Sequence, residues 1–210
     1  MTVVAVAGTG TDVGKTYVSA AVLRSLRARG VAIAARKPVQ SFDPADAATD
    51  ADVLALATGE TPHEVCPPHR WLQVPMAPPI AADALGLPSF TIADLAAEIR
   101  SSTPTDRAVL VETAGGVRSP IANDGDCAAL VTELAPALVV LVADAGLGTI
   151  NLVRMSRDAL WKHRVVTYLN RFESRNDLHV RNAEWLRTRE SLEVVTDIEA
   201  LTRLVELIAR

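Results

Sequence analysis

VAVAGTGTDVGKTYVSAAVL, running from Val4 to Leu23, passes from apolar residues through three glycines into a Lys-Thr pair and out into a second apolar pattern. Val3 to Ala7 is apolar throughout and rich in β-branched valine, which predicts a short buried strand ended by Gly8. From Thr16 onward Val18, Ala21, Val22 and Leu26 recur at helical spacing, and Gly30 stands where a left-handed cap closes such a helix. The connecting GTGTDVGKT holds Gly8, Gly10 and Gly14, which let successive N–H groups converge on an anion while the helix N-terminus adds its positive end. Lys15 supplies a full charge and the Thr16 hydroxyl suits magnesium. The stretch predicts a phosphate cradle.

Five residues separate Gly8 from Gly14, one more than in the usual P-loop, so the pattern is a variant. A dinucleotide fingerprint is the competing pattern, because Gly8-Thr9-Gly10 begins like GxGxxG. The third glycine comes one residue late, and Arg36-Lys37 stands where an acid would bind a ribose hydroxyl. Arg36 suits a 2′-phosphate instead, which keeps an NADP enzyme among the alternatives; neither Tyr17 nor Tyr168 has a lysine four residues on to complete a YxxxK pair.

The 210 residues suffice for one domain with a sizeable core, and a single domain over 1–210 is expected. A net charge of −4 with both signs interspersed offers no basic stripe for nucleic acid. Cys66 and Cys127 lack ligand-spaced partners and read as free thiols of a reducing compartment; His63, His69, His163 and His179 are scattered. No apolar run reaches the ~18 residues that cross a bilayer, and no basic signal region precedes the first strand. A cytoplasmic protein, without membrane or nucleic-acid partner, is the expectation.

Further strand-like runs lie at Val31 to Ala35, Ala108 to Val111, Ala137 to Ala143 and Val165 to Leu169, with a weaker one at Glu193 to Thr196. Helical patterns fall at Asp52 to Thr58, Ile92 to Arg100, Ala128 to Leu134, Ile150 to Trp161, Leu178 to Arg187 and Ile198 to Ile208. This alternation predicts a mostly parallel sheet with helices on both faces, whose ligands sit beyond the carboxyl ends of the strands. Ser41 to Pro88, rich in proline, is too long for a simple connection and predicts a loop-plus-helix insertion near the site.

Strand ends therefore nominate residues. Lys37, held extended by Pro38, would neutralise transferring oxygens, or remain a solvated lysine. Glu112, where an apolar strand would otherwise continue, is a cation ligand or half of an ion pair, and Gly115-Gly116 follow it. Asp50 would complete magnesium's oxygen shell with Thr16 and Glu112, or cap a helix; Asp52 competes for the role. Gly146, Gly148, Thr149 and Asn151 make a second anion-friendly helix start, or a turn with a cap. Asn170, at the end of the fifth strand, could read a purine edge or cap the turn.

GTGTDVGKT, KPVQS, TDA, VETAGG, LGTIN and YLN, in this order and at these intervals, resemble the dethiobiotin synthetase family through about Asn170. The five-residue gap of the loop is the most specific match. The resemblance implies the three-layer P-loop NTPase α/β fold and a homodimer. It implies ATP- and Mg2+-dependent carboxylation of 7,8-diaminopelargonate with CO2 to dethiobiotin, through a carbamate and a carbamic-phosphoric anhydride. It also distributes roles. Gly8, Thr11, Asp12, Val13, Gly14, Lys15, Thr16, Tyr17 and Asn170 would bind nucleotide; Lys15, Lys37 and Thr11 would serve catalysis. Thr16, Asp50 and Glu112 would carry the metal. Lys37, Ser41, Glu112 and Gly115 would meet the substrate, whose distal carboxylate would reach Gly148, Thr149 and Asn151 of the other subunit.

The chain departs from the family at Phe42 and Thr113, where glycine is usual, and EVVTDIEAL lacks the usual glycine and Ile-Pro or Leu-Pro pair. The rival function is a P-loop ATPase switch of the partition or septum-site type, acting on a macromolecule. Those proteins carry a signature lysine five residues before the GK lysine, where this chain has Gly10. A glutamine-dependent synthetase would need a glutaminase domain for which 210 residues leave no room.

Overall fold

The computed structural model describes residues 1–210. In chain order, β1 (Val3–Gly8) leads into α1 (Lys15–Ala28), then β2 (Ile33–Arg36) and a two-residue strand β3 (Gln40–Ser41). Next come α2 (Asp50–Thr58), α3 (Pro62–Val65), a 3-10 turn at Pro68–Arg70, β4 (Trp71–Leu72), α4 (Pro78–Ala84) and α5 (Ile92–Ser102). The second half runs β5 (Ala108–Glu112), β6 (Pro120–Ala122), β7 (Gly125–Asp126), α6 (Cys127–Leu134), β8 (Leu138–Asp144), α7 (Thr149–Ala159), β9 (Val165–Asn170), α8 (Asp177–Thr188), β10 (Val194–Val195) and α9 (Ile198–Ala209).

Six strands form one sheet in the order β10-β9-β8-β1-β5-β2, all parallel. Every residue of β1, β2, β5 and β9 is buried, as a parallel sheet covered on both faces requires. Alternation along β1 sorts the two faces. Val4 and Val6 join α1, α2 and α9 in one cluster, whereas Val3, Ala5 and Ala7 face the clusters built on α5, α6, α7 and α8. The chain winds from β1 towards β2 on one side and, after β5 has paired with β1, crosses to β8 on the other. β1 is thus the point where strand order reverses, and its carboxyl end opens the crevice in which such sheets hold ligands.

Each main strand expected from the apolar runs is present, shifted by a residue or two. The insertion from Ser41 to Pro88 is more structured than a loop with one helix: β3 and β4 pair as a small parallel sheet, with Gln40 opposite Trp71. Two-residue strands carry too little pattern to register in a sequence. Helix α2 begins two residues earlier than its apolar periodicity, because Thr49 and Asp52 form a reciprocal capping box that makes Asp50 the first helical residue. That shift matters for the site.

Leu141, on β8, is fully buried among the α7/α8 cluster, while Leu207 on α9 is 76% exposed. Leu141→Ala should cost about 2–5 kcal/mol through lost transfer energy and an unfilled cavity. Leu207→Ala should stay within about 0.5 kcal/mol. Urea midpoints of the two variants, measured at unchanged m-value, check this.

Candidate active site

β1 ends at Gly8, and the loop that follows cannot accept a side chain there: a Cβ would stand 3.0 Å from Gly10 O, Lys15 Cδ and Val13 Cγ2. Asp12 and Gly14 have left-handed φ of 58° and 91°, with Val13 between them on the ordinary side, an alternation that turns consecutive N–H groups to a common concavity. None of the N–H groups from Asp12 to Thr16 donates a hydrogen bond within the chain. Gly14 at the N-cap offers no side-chain cap, and the first turn of α1 has no acidic residue. A run of unpaired donors at the positive end of a helix is a site for an anion.

Lys15 curls over this loop, its Nζ donating to Gly10 O at 3.2 Å. Burial pushes its ammonium below the ordinary value, and the charge of Lys37 adds to the effect. Lys37, 3% exposed just after β2, is placed by its own N–H on Val65 O at 2.8 Å. Its Nζ lies 2.6 Å from Asp50 Oδ2 and 2.9 Å from Glu112 Oε1. Burial acts to depress Lys37, but Glu112 and Asp50 outweigh it and hold the ammonium above its ordinary value. Burial likewise acts to raise Asp50, and the Lys37 charge with hydrogen bonds from Lys37 and Thr16 overrides it downward. So Lys37 is no solvated lysine.

The Thr16 hydroxyl lies 2.6 Å from Asp50 Oδ1 and 2.8 Å from Glu112 Oε1. One hydroxyl and two carboxylates thus converge from α1, α2 and β5, an all-oxygen donor set of the kind magnesium takes. Glu112 is fully buried; its Oε1 takes the Lys37 ammonium and its Oε2 has no hydrogen-bond partner, an acceptor that a cation could complete. Of the two competing acids, Asp50 belongs to this cluster. Asp52 is spent on the capping box, its Oδ2 taking the Thr49 N–H and hydroxyl at 2.8 Å each.

A cavity of about 810 Å³ opens over these groups, and Thr11, Asp12, Gly14, Ser41 and Gly115 also line it. Ser41 Oγ is buried without a partner, a free donor at the cavity wall. The Asn170 amide nitrogen caps no turn of its own strand end but donates to Val13 O at 3.0 Å, which ties the phosphate loop to the end of β9. Val13 is 9% exposed and packs in the core, so its contribution to the loop is its backbone. Tyr17, 61% exposed on α1, lies outside the cavity lining. Gly148, Thr149 and Asn151 are likewise outside it, at the start of α7.

Among the lining residues that the sequence reading passed over, Gln40 and Arg171 make the polar ties that shape the site. Gln40, 2% exposed, donates to Thr49 Oγ1 at 3.2 Å and accepts from Ala51 N at 3.0 Å, bracketing Asp50. It stood inside the quoted KPVQS, but a neutral amide beside a lysine carries no signal of its own. Arg171 reaches Asp144 Oδ2 and Asp12 O, each at 2.8 Å. Its position just after β9 was the available signal.

A family model described as an AAA domain matches residues 2–206. The ATP-dependent dethiobiotin synthetase BioD of Corynebacterium efficiens is 40% identical over 159 residues, 76% of this chain and 70% of that protein. The protein of the same name from Caulobacter sp. is 41% identical over 74% of this chain and 68% of its own length. Its namesake from Haloferax mediterranei is 36% identical over 80% and 72%. The chain belongs to the dethiobiotin synthetase family. Among solved structures, chloroplast FtsY from Physcomitrella patens superposes with a TM-score of 0.53 at 16% identity over 92% of this chain. A duf1611 family protein from Anabaena variabilis gives 0.54 at 15% over 99%. The chain spans 56% and 57% of those two structures, a likeness of fold alone.

Against the dethiobiotin synthetase family, the two departures in the chain separate. Thr113 is fully buried with its hydroxyl on Val6 O at 3.3 Å, so it is tied to β1. Phe42 does line the cavity, held edge-on to Trp71 with ring centroids 5.8 Å apart.

Gly14 supplies the sharpest test of the loop. A Cβ there would stand 2.1 Å from Asn170 Nδ2 and would need a left-handed backbone. Gly14→Ala should raise the dissociation constant for ATP at least about tenfold, since Asn170 must release Val13 O; calorimetric titration of wild type and variant reads it.

Proposed function

We propose that this protein converts 7,8-diaminopelargonate, CO2 and ATP to dethiobiotin, ADP and phosphate. The observation that carries the proposal is the row of unpaired N–H groups from Asp12 to Thr16 facing a buried pair of lysines, within a chain of the dethiobiotin synthetase family. The β- and γ-phosphates of ATP lie along those N–H groups with Lys15 beside them. Near Lys37 and Ser41 one substrate amine adds to CO2, losing a proton to give the carbamate. A carbamate oxygen then attacks the γ-phosphorus, the bond to ADP breaks, and a carbamic-phosphoric anhydride results. The second amine attacks its carbonyl carbon, phosphate leaves, and the cyclic urea closes.

Lys37 serves this sequence because two carboxylates hold it charged in a buried place, where a fixed positive group stabilises developing oxyanions strongly. Thr11, with its hydroxyl near the Gly115 turn, stands over the γ-phosphate or carbamate. Thr16, Asp50 and Glu112 would hold magnesium, which when bound would supply electrostatic neutralisation of the phosphate oxygens. The tie of Asn170 to Val13 leaves its amide oxygen for the purine, with exposed Tyr17 at the start of α1 as a second nucleotide contact.

The active unit is a homodimer. Gly148, Thr149 and Asn151 lie off this chain's own cavity, at a helix start without a side-chain cap and beside Leu147, 91% exposed, and Met155, 63% exposed. A second subunit would cover that apolar face and take the distal carboxylate of the substrate at the helix start. No helix is long and apolar enough to cross a membrane. Burial pushes the Cys66 thiol up to about 12 and that of Cys127 to about 11, which suits two free thiols in a reducing cytoplasm.

Incubation with diaminopelargonate, bicarbonate, magnesium and ATP should give a cyclic urea by mass spectrometry, one per ADP formed; absence of that product sinks the assignment. Lys15→Ala should lose both turnover and ATP affinity. Lys37→Ala should lower kcat by roughly 10²–10³ with ATP affinity changed far less.

A further inference from the structure

Two consecutive residues at the end of β9 hold two consecutive carbonyls of the phosphate loop. Arg171 Nη2 donates to Asp12 O at 2.8 Å, and Asn170 Nδ2 donates to Val13 O at 3.0 Å. All peptide bonds are trans, so each held carbonyl turns the N–H of the following residue to the opposite side. The N–H groups so turned are those of Val13 and Gly14, two of the unpaired donors of the cradle. Asp12 at φ 58° sits in the left-handed region, which aspartate enters more readily than most residues but still at some cost, so a tie from outside the loop favours that conformation. Arg171 is in turn oriented by Asp144, whose Oδ2 takes Nη1 at 2.8 Å while Oδ1 accepts the Gly146 N–H at 2.8 Å.

We propose that Arg171, oriented by Asp144 and acting beside Asn170, is a positioning residue that sets the phosphate loop in its anion-receiving conformation before nucleotide arrives. The inference rests on the reading of this loop as the ATP site. Its alternative is simple charge attraction between an exposed guanidinium and phosphate, and the two make opposite predictions at Asp144. Removing an acid near a polyphosphate strengthens anion binding if charge alone acts. It weakens binding if the acid holds the clasp. Because the Arg171 and Asp144 side chains are 59% and 45% exposed, the variants should fold.

The test measures ADP binding by calorimetry at fixed salt, with backbone amide relaxation of residues 12–16 by NMR as the second readout. Arg171→Ala should weaken ADP about tenfold and Asp144→Ala about three- to tenfold, since only the clasped fraction of the loop binds. Both should show increased mobility at Val13 and Gly14, with thermal midpoints close to wild type. Arg171→Lys keeps the charge but replaces the planar fork, whose two terminal nitrogens reach Asp144 Oδ2 and Asp12 O separately, with one compact ammonium on a different stem, and should not restore affinity. ADP binding by Asp144→Ala equal to or tighter than wild type, or full rescue by lysine, would overturn the clasp. Wild-type protein that binds no ADP would instead sink the ATP-site reading, and the relaxation data would still decide whether Arg171 and Asp144 order the loop.

Discussion

A short row of backbone N–H groups left without partners, where β1 meets α1, is the constraint on which the rest of the structure depends. Burying or idling such donors is unfavourable by about 1–3 kcal/mol each where water is excluded, so a fold tends to cap them. Here the caps are withheld. Gly14 has no side chain, no acid occupies the first turn of α1, and the loop is tied from behind by the Asn170 and Arg171 side chains at the end of β9. The central place of β1, with buried neighbours β5 and β8 on either side, gives the loop a rigid base from which to stay open.

Charge is handled by the same means. Lys37 and Glu112 are both nearly inaccessible, and a buried ion pair gains stability only where its geometry is good and its remaining hydrogen-bonding capacity is met. Lys37 meets that condition through two carboxylates and the Thr113 carbonyl at 3.4 Å. Glu112 leaves Oε2 without a partner, so the cluster is a structure with one acceptor in reserve. Buried polar groups that are incompletely matched fit a site better than they fit a core.

The long apolar runs made the main sheet legible, because a strand buried on both faces leaves an uninterrupted block of valine, leucine and alanine that no surface helix imitates. The chemistry at strand ends followed from the same reading: Lys37 after β2 and Glu112 closing β5 both reached the site. Less was visible between β2 and α5. Trp71-Leu72 pairs with Gln40-Ser41 through backbone bonds that any residues could make, so nothing in their side chains announces a strand. Gln40 and Arg171 were passed over because the groups they hold, Thr49 and Ala51 for the first and Asp144 and Asp12 for the second, are brought to them by the fold.

What the amino-acid order determined by itself was the alternating sheet and helix plan, the loop geometry demanded by GTGTDVGKT, and the family to which those spacings point. These are local properties of periodicity and permitted backbone angles. The choice of Asp50 over Asp52, the union of Lys15 with Lys37, and the tie of Thr113 to β1 were decided only by tertiary structure. Each depends on which of two neighbouring side chains faces a partner many residues away. The Thr16 and Lys37 side chains that receive Asp50, and the Val6 carbonyl on the adjacent strand, settle that direction, and none of those distances is written along the chain.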